Sequence, residues 1–317
     1  MKKIVAFPFR HHATLVCPEA KQMLLDAGYE LVCNDTGEKL SVQAQHEMIK
    51  DAFAVVAGTE TYDAQMLEDC KNLRVVLRFG VGLDNFDLTT MKKMGVQVGV
   101  ISNNNAVAEF TLSLMLAAMK SLPALDDAVR QGKWSRYPIQ ELTGKTVGLL
   151  GFGRIGRRLA QLLSGFQVRL LVCDPYLDDE TAAQYHAEQV SFEKLLAEAD
   201  IVSLHLPLTK ENRHLFNAQS FAMMKDEACL INTSRGPLVD EKALYEALTR
   251  GKLALAALDV YEQEPVTKDN PLFGLKNVVL SPHCAALSRE TNYNAGITCA
   301  QSIIEVGKGG TPIYPVR

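Results

Sequence analysis

The segment Gly151-Phe-Gly-Arg-Ile-Gly156 constrains the fold of this 317-residue chain more than any other. An apolar run at 145–150 precedes it and predicts a short buried strand, and an amphipathic run from Arg157 predicts a helix. A second apolar run, at 168–173, ends in Asp174, eighteen residues after the last glycine. Strand, glycines, helix, second strand and acid in this order predict a dinucleotide-binding unit, against the alternative of a plain strand–turn–helix connection.

Each glycine of this segment has its own physical role. Gly151 permits a tight turn, Gly153 lets the backbone approach a pyrophosphate, and Gly156 lets the helix pack closely on the strand. The carboxylate of Asp174 would accept hydrogen bonds from the adenine-ribose hydroxyls and would repel a 2′-phosphate. Because no Arg or Lys lies in residues 175–180, the predicted cofactor is NAD rather than NADP.

Composition limits the other classes of function. The chain is 47% hydrophobic and 22% charged with a net charge of −4, which is typical of a soluble protein and gives no basic field for nucleic acid. Its seven scattered cysteines contain no C-x-x-C pair, which favours the reducing cytoplasm and no metal site. The most apolar window, residues 106–119, is too short to span a bilayer, so we expect no membrane segment.

Short apolar runs alternate with helical stretches along the whole chain, which predicts parallel sheets covered by helices, in two doubly wound α/β units. The predicted strands are Ile4–Phe7, Glu30–Cys33, Ala54–Ala57, Val75–Leu77, Val96–Val98, Lys145–Leu150, Val168–Cys173, Ile201–Leu204, Cys229–Asn232, Ala254–Asp259 and Val278–Leu280. The predicted helices include Ala64–Asp69, one long connecting helix Ala106–Leu122, and Thr291–Val306.

Polar residues follow successive predicted strands of the second half. An open α/β sheet binds its ligands at the carboxyl ends of its strands, so His205, Arg235, Asp259 with Glu264, and His283 are candidate site residues. Each also has a structural interpretation as a capping or surface residue. Their shared position favours a reaction that needs an anion clamp, a proton donor and a group that orients that donor.

Several motifs in fixed order resemble the NAD-dependent D-isomer-specific 2-hydroxyacid dehydrogenases, most closely the phosphoglycerate dehydrogenase branch. The resemblance runs from about residue 50 to about 290. The motifs are Arg78-Phe-Gly-Val-Gly-Leu-Asp-Asn85, Ala106-Val-Ala-Glu109, the glycine segment with Asp174, His205-Leu-Pro-Leu-Thr209, Asn232-Thr-Ser-Arg-Gly-Pro-Leu-Val-Asp240, Asp259-Val-Tyr-Glu-Gln-Glu-Pro265 and Ser281-Pro-His283.

The resemblance implies a fold and an assembly. The expected fold is α/β, with a Rossmann NAD domain (102–287) inserted into a flavodoxin-like substrate domain (1–101 and 288–317). Members of the family are usually homodimers, so a homodimer is expected here.

The resemblance also implies roles for single residues. Arg235 would bind the carboxylate of a small 2-hydroxy or 2-oxo acid and polarise its C2 oxygen, since a planar guanidinium suits both tasks. His283 would exchange a proton with that oxygen during hydride transfer, and Glu264 would orient the imidazole. Val81 and Gly82 would hold the substrate carboxylate with their backbone N–H groups. The implied cofactor contacts are Gly151, Gly153, Arg154, Ile155, Gly156, Asp174, His205, Leu206, Pro207, Thr233, Ser234, Asp259 and Ala285.

Departures from the family leave the substrate open. The Arg-Ser pair that helps bind phosphate in phosphoglycerate dehydrogenases is replaced here by Ala57-Gly58, followed by Thr59-Glu60. Glyoxylate, hydroxypyruvate and pyruvate therefore stand beside phosphohydroxypyruvate as candidates. An NAD(H)-sensing binding protein of the corepressor type, without turnover, is the main alternative to an enzyme, and a formate-oxidising relative is a third.

Overall fold

The computed structural model describes residues 3–10, 16–80, 82–101, 104–134 and 136–316. The chain divides into two units, Met1–Asn103 with Leu287–Arg317, and Asn104–Ala286. The predicted α/β fold with two parallel sheets is confirmed, since one sheet has five strands and the other seven, all paired in parallel. That the first unit serves the substrate and the second NAD stays a prediction.

In the first unit the strand order is β2-β1-β3-β4-β5, the order of a flavodoxin-like doubly wound sheet. Alternate side chains feed two cores: Val5 and Val56 face one side, while Ala6 and Val55 face the other. The strands are β1 (Ile4–Phe7), β2 (Glu30–Cys33), β3 (Ala54–Ala57), β4 (Val75–Arg78) and β5 (Gln97–Val100). The helices are α1 (Pro18–Asp26), α2 (Val42–Ile49), α3 (Leu88–Lys93) and, from the C-terminal segment, α11 (Arg289–Gly307).

In the second unit the order is β12-β11-β10-β9-β6-β7-β8, and it reverses between β6 and β9. The strands are β6 (Thr146–Leu150), β7 (Arg169–Cys173), β8 (Ala187–Gln189), β9 (Ile201–Leu204), β10 (Ala228–Asn232), β11 (Leu253–Leu258) and β12 (Val278–Leu280). The helices are α4 (Asn104–Met119), α5 (Leu122–Arg130), α6 (Arg154–Leu163), α7 (Asp179–Gln184), α8 (Phe192–Glu198), α9 (Ala218–Met223) and α10 (Glu241–Thr249). Two buried clusters, one on each face, hold the helices against this sheet.

The pairing of the strands in the second unit aligns the ends of five of them. Leu150 of β6 pairs with Cys173 and with Leu204, Asn232 pairs with Leu204 and with Leu258, and Leu258 pairs with Leu280. The residues that follow these positions therefore lie in one row along the carboxyl edge of the sheet. They are Asp174, Gly151, His205, Thr233, Asp259 and Ser281.

One helix prediction is wrong. Residues 64–69 form successive turns rather than a helix, and the segment ends at Asp69, which takes a left-handed φ of 63°. The long connecting helix predicted at Ala106–Leu122 is present as α4, which ends at Met119, and α4 and α5 meet at 62°. Ser121 has a left-handed φ of 48° at the break, and Pro123 follows in the first turn of α5.

Among the described residues, no single helix is long and apolar enough to cross a bilayer, and α4 and α5 meet that length and composition only as a bent pair. Within the same residues, no three potential metal-binding side chains of His, Cys, Asp or Glu come together.

Candidate functional site

The glycine loop joins β6 to α6, which begins at Arg154, so Arg154 and Ile155 occupy the first helical turn. Gly151 has a left-handed φ of 94°, and a Cβ there would lie 2.6 Å from the carbonyl oxygen of His205. A Cβ on Gly156 would lie 2.5 Å from the carbonyl oxygen of Gly151. Both positions therefore require glycine.

Gly153 is different, because no atom outside its own stretch of backbone lies within 4 Å of the place where its Cβ would be. The backbone of the loop is therefore open at this one point, directly before a helix N-terminus, where N–H groups and the helix dipole favour an anion. An uncovered glycine at this point fits the pyrophosphate of a dinucleotide.

Asp174 links the end of β7 to the glycine loop. Its Oδ2 accepts the N–H of Phe152 at 2.7 Å, and its Oδ1 accepts the N–H of Tyr176 at 2.8 Å. Each carboxylate oxygen retains acceptor capacity, since a carboxylate offers about four lone-pair sites. The structure thus brings Asp174 beside the loop that the sequence predicts for the cofactor.

The segments after β9 and β10 contact each other. The hydroxyl of Ser234 donates to the carbonyl oxygen of Leu206, and Pro207 continues this loop. The Oγ1 atoms of Thr233 and Thr111 lie 2.8 Å apart in the buried interior, which ties the end of β10 to α4. Burial lowers the pKa of His205 to about 4, so this side chain is neutral near pH 7, with Ser203 Oγ 3.0 Å from its Nε2.

Arg235 lies in a turn that two hydrogen bonds of Asn232 stabilise. Asn232 donates from Nδ2 to the carbonyl oxygen of Arg235 at 2.9 Å and accepts the N–H of Ser234 at 3.0 Å. Gly236 follows, and a Cβ there would lie 1.8 Å from the carbonyl oxygen of Tyr261. The Arg235 turn and the loop after β11 are therefore in direct backbone contact, which sequence reasoning missed.

The predicted His–Glu pair is present. Nδ1 of His283 lies 2.6 Å from Oε2 of Glu264, whose Oε1 accepts the N–H of Tyr261 at 3.0 Å. Burial raises the pKa of Glu264, but the hydrogen bonds from His283 and Tyr261 outweigh it and the net pKa is lowered. The ionised carboxylate therefore holds the imidazole, and the opposite ring nitrogen is left to face a ligand.

Arg235, Glu264 and His283 line one cavity of about 260 Å³ in the second unit. Glu262 lines it too and accepts from Nε2 of His214, a second His–Glu contact that the sequence analysis did not single out. A guanidinium and an imidazole–carboxylate pair around one cavity can bind a carboxylate and move a proton.

Two residues that are predicted to contact the cofactor, Asp259 and Ala285, form hydrogen bonds within the protein. Asp259 is completely buried and its carboxylate accepts hydrogen bonds from Ser281, Cys284 and Ala285. The N–H of Ala285 is used in this way, at 2.9 Å. The roles predicted for both residues toward NAD stay predictions.

Of the predicted substrate contacts in the first unit, Val81 lies outside the described residues. The carbonyl oxygen of Gly82 accepts from Nε of Arg78 at 2.9 Å, and Arg78 also donates to the carbonyl oxygen of Gly58. Glu60, of which only 9% is exposed, accepts the N–H of Gly58 at 2.9 Å. The ends of β3 and β4 are thus linked through one arginine, with a buried carboxylate beside it.

Comparisons with known proteins show which family this chain resembles. The family described as D-isomer specific 2-hydroxyacid dehydrogenase, NAD binding domain, matches residues 112–285. A D-3-phosphoglycerate dehydrogenase of Archaeoglobus fulgidus is 41% identical over 86% of this chain and 53% of its own length. A glyoxylate reductase of Aeropyrum pernix is 40% identical over 94% of this chain and 92% of its own length.

Among solved structures, the apo-structure of D-lactate dehydrogenase from Escherichia coli superposes with a TM-score of 0.84 at 29% identity, covering 99% of this chain and 100% of that one. The chain spans about half the length of the phosphoglycerate dehydrogenase from Archaeoglobus and nearly all of the Aeropyrum glyoxylate reductase. With the family match and these identities, the chain belongs to the D-isomer-specific 2-hydroxyacid dehydrogenase family.

Proposed function

We propose that this protein interconverts a small D-2-hydroxy acid and its 2-oxo acid with NAD(H). The observation that carries the proposal is the His283–Glu264 contact of 2.6 Å on the same cavity as Arg235. The family supports NAD(H) binding by the second unit, and the open backbone at Gly153 beside Asp174 fits that cofactor. The formate-oxidising alternative has no support in the site or in the relatives named above.

The proposed roles follow from the chemistry of each group. NAD(H), when bound by the glycine loop, Asp174 and the segments after β9 and β10, supplies or takes the hydride. Arg235 binds the substrate carboxylate through paired N–H donors and withdraws electron density from the C2 oxygen. In the reducing direction protonated His283 donates its ring proton to that oxygen, and in the oxidising direction the neutral ring takes it back.

Glu264 keeps the reacting histidine in place. Because its carboxylate is ionised and accepts from Nδ1, it fixes which ring nitrogen faces the substrate before proton transfer. The N–H of Tyr261 holds the second carboxylate oxygen, so Glu264 cannot rotate without losing a hydrogen bond. The pair is therefore preorganised for proton transfer.

An unphosphorylated substrate is the one we propose. If Gly82 binds the acid as predicted, the buried Glu60 lies in the same network, because Arg78 donates to the carbonyl oxygens of Gly82 and Gly58 and Glu60 accepts the N–H of Gly58. A phosphate dianion near this buried carboxylate would be destabilised by like-charge repulsion, which the protein interior screens poorly. Glyoxylate, pyruvate and hydroxypyruvate carry no phosphate group.

The test is NADH oxidation by the purified protein with glyoxylate, hydroxypyruvate, pyruvate and phosphohydroxypyruvate. His283→Gln and Arg235→Ala should each lower kcat/KM about a hundredfold, as expected for loss of a general acid or an electrostatic clamp. His186→Gln, at an exposed histidine, is the matched control. NADH binding without turnover of any of these acids would refute the proposed enzyme activity and favour the NAD(H) sensor.

The homodimer and the cytoplasmic location remain predictions. Light scattering of the purified protein tests the homodimer.

A further inference from the structure

The loop after β3 in the first unit carries a nearly buried carboxylate. Glu60 is only 9% exposed, and its Oε2 accepts the N–H of Gly58 at 2.9 Å. Its other oxygen, Oε1, has no hydrogen-bond partner among the residues that the structure describes. Because burial of a carboxylate is costly unless its oxygens are hydrogen-bonded, this arrangement favours a further donor at Oε1.

Glu60 lies where a sheet of this kind binds a ligand. The strand order β2-β1-β3-β4-β5 reverses between β1 and β3, and an open α/β sheet binds ligands beyond the carboxyl ends of its strands at such a point. Phe9 comes shortly after β1 and Gly58 directly after β3, and a Cβ on Gly58 would lie 2.7 Å from the Cβ of Phe9. The loops after these two strands therefore meet at the expected ligand crevice, and Glu60 belongs to one of them.

The position of Glu60 limits what residue 58 can be. A Cβ on Gly58 would lie 2.8 Å from Oε2 and 3.1 Å from Oε1 of Glu60, and the Cβ of Phe9 is close on the other side. A longer side chain at position 58, such as that of arginine, would displace the carboxylate. The side chain that this loop offers to a ligand is therefore a hydrogen-bond acceptor and not a cation.

Arg78 connects this loop to the residue predicted to hold the substrate. Ala57 and Arg78 pair at the ends of β3 and β4. Nε of Arg78 donates to the carbonyl oxygen of Gly82 at 2.9 Å, and its Nη1 donates to the carbonyl oxygen of Gly58. An acid bound at the backbone of Gly82 would thus have the loop of Glu60 as its neighbour.

We propose that Glu60 is a specificity-determining residue, and that its Oε1 accepts a hydrogen bond from a hydroxyl group on C3 of the substrate. The inference rests on the proposed function and narrows its substrates to 3-hydroxylated 2-oxo acids, of which hydroxypyruvate is the simplest. The C3 hydroxyl would complete the hydrogen bonds of the buried carboxylate, whereas the methyl group of pyruvate would leave Oε1 unpaired.

The test compares hydroxypyruvate with pyruvate, which differ only in the C3 hydroxyl, in NADH oxidation. Wild type should favour hydroxypyruvate in kcat/KM by at least about a hundredfold, as expected for a site that binds a substrate hydroxyl. In Glu60→Gln the amide oxygen can accept the N–H of Gly58, and the NH₂ group then takes the place of Oε1. The preference should fall at least about tenfold, because a neutral hydrogen bond is weaker than one to a carboxylate.

Phosphohydroxypyruvate gives a second, independent measurement. Its phosphate is repelled by Glu60 in the wild type, so Glu60→Gln should raise kcat/KM for this acid about tenfold while lowering kcat/KM for hydroxypyruvate. A general loss of structure would lower both values. Asp63→Asn is the matched control, because Asp63 lies in the same loop and accepts the N–H of Met66 at 2.8 Å but is exposed. It should change neither value.

Two results would overturn the role of Glu60 and leave the enzyme activity in place. They are a hydroxypyruvate preference in Glu60→Gln within about threefold of that of the wild type, and a wild type that uses pyruvate as well as hydroxypyruvate. If the wild type turns over none of these acids, the proposed function fails, and calorimetry with D-glycerate and D-lactate in the presence of NAD decides the role of Glu60. D-glycerate should bind at least about tenfold more tightly than D-lactate to the wild type but not to Glu60→Gln, and equal affinities for the wild type would overturn the inference.

Discussion

Gly236→Ala is the substitution whose effect the structure fixes most sharply. The new Cβ would lie 1.8 Å from the carbonyl oxygen and 1.9 Å from the carbonyl carbon of Tyr261, both backbone atoms. Real Cβ atoms essentially never approach a neighbour closer than 3.0 Å, so one backbone must move by at least about 1.2 Å. The segments that must separate carry Arg235 on one side and Glu264 on the other.

The expected cost has two parts. Forcing a methyl group into a filled space destabilises a protein by about 1–3 kcal/mol, which corresponds to roughly 5 °C in Tm for a unit of this size. A displacement of about 1 Å between Arg235 and the His283–Glu264 pair should lower kcat about a hundredfold. Thermal unfolding and NADH oxidation with the best 2-oxo acid measure the two parts separately.

Gly274→Ala is the control, because it lies in the same unit and no atom lies within 4 Å of the new Cβ. It should retain wild-type activity and Tm. If Gly236→Ala retained kcat within about threefold and melted like wild type, the close approach of the two segments would not exist in solution. The two segments would then not form one rigid site.

Three further outcomes are expected. Glu264→Gln removes the ionised acceptor of His283 and should lower kcat roughly tenfold to a hundredfold with little change in NADH affinity; equal kcat would show that the carboxylate does not orient the ring. Asp174→Ala removes the acceptor of the Phe152 N–H and the negative charge that would repel the 2′-phosphate of NADPH. The ratio of NADPH affinity to NADH affinity should therefore rise at least about tenfold. Equal affinities of the wild-type protein for NADPH and NADH would contradict the role of Asp174. Because burial lowers the pKa of His205 to about 4 from 6.5, the unfolded chain takes up this proton first, and roughly 2–3 kcal/mol of stability should be lost as the pH falls from 6.5 to 4. In urea unfolding, His205→Gln should not show this loss of stability at low pH, whereas the control His186→Gln should show it. If the wild type and both variants lost the same stability between pH 6.5 and 4, burial of a neutral His205 would not be the cause.

The sheet and the candidate site residues were predictable because they depend on patterns local in sequence. Buried strands such as 54–57 read as continuous apolar runs, and a glycine loop that needs Gly151 and Gly156 leaves a fixed spacing. The short edge strand β8 (187–189) has a polar sequence and gives no such signal. The predicted connecting helix ends three residues too late, at Leu122 rather than Met119, because Pro123 is the first residue there that breaks a helix.

What the sequence could not supply is the set of contacts between distant segments. Asp259 meets its donors more than twenty residues later, and Gly236 meets Tyr261 through backbone atoms that carry no residue identity. Both contacts depend on strand register, which a parallel sheet sets through pairing rather than through any one motif. The candidate residues, including Glu264 beside His283, were visible in advance, whereas the contacts between the loops that carry them were not.

The single row of residues at the carboxyl edge has a consequence for how this protein would fail. A slip of one residue in β11 would carry Asp259 about 3.3 Å along the strand and turn every neighbouring apolar side chain to the opposite face. Such a slip would disrupt the site and the hydrophobic core at the same time. A chain in which β11 has slipped should therefore be unfolded and open to proteolysis, rather than a folded enzyme with altered selectivity.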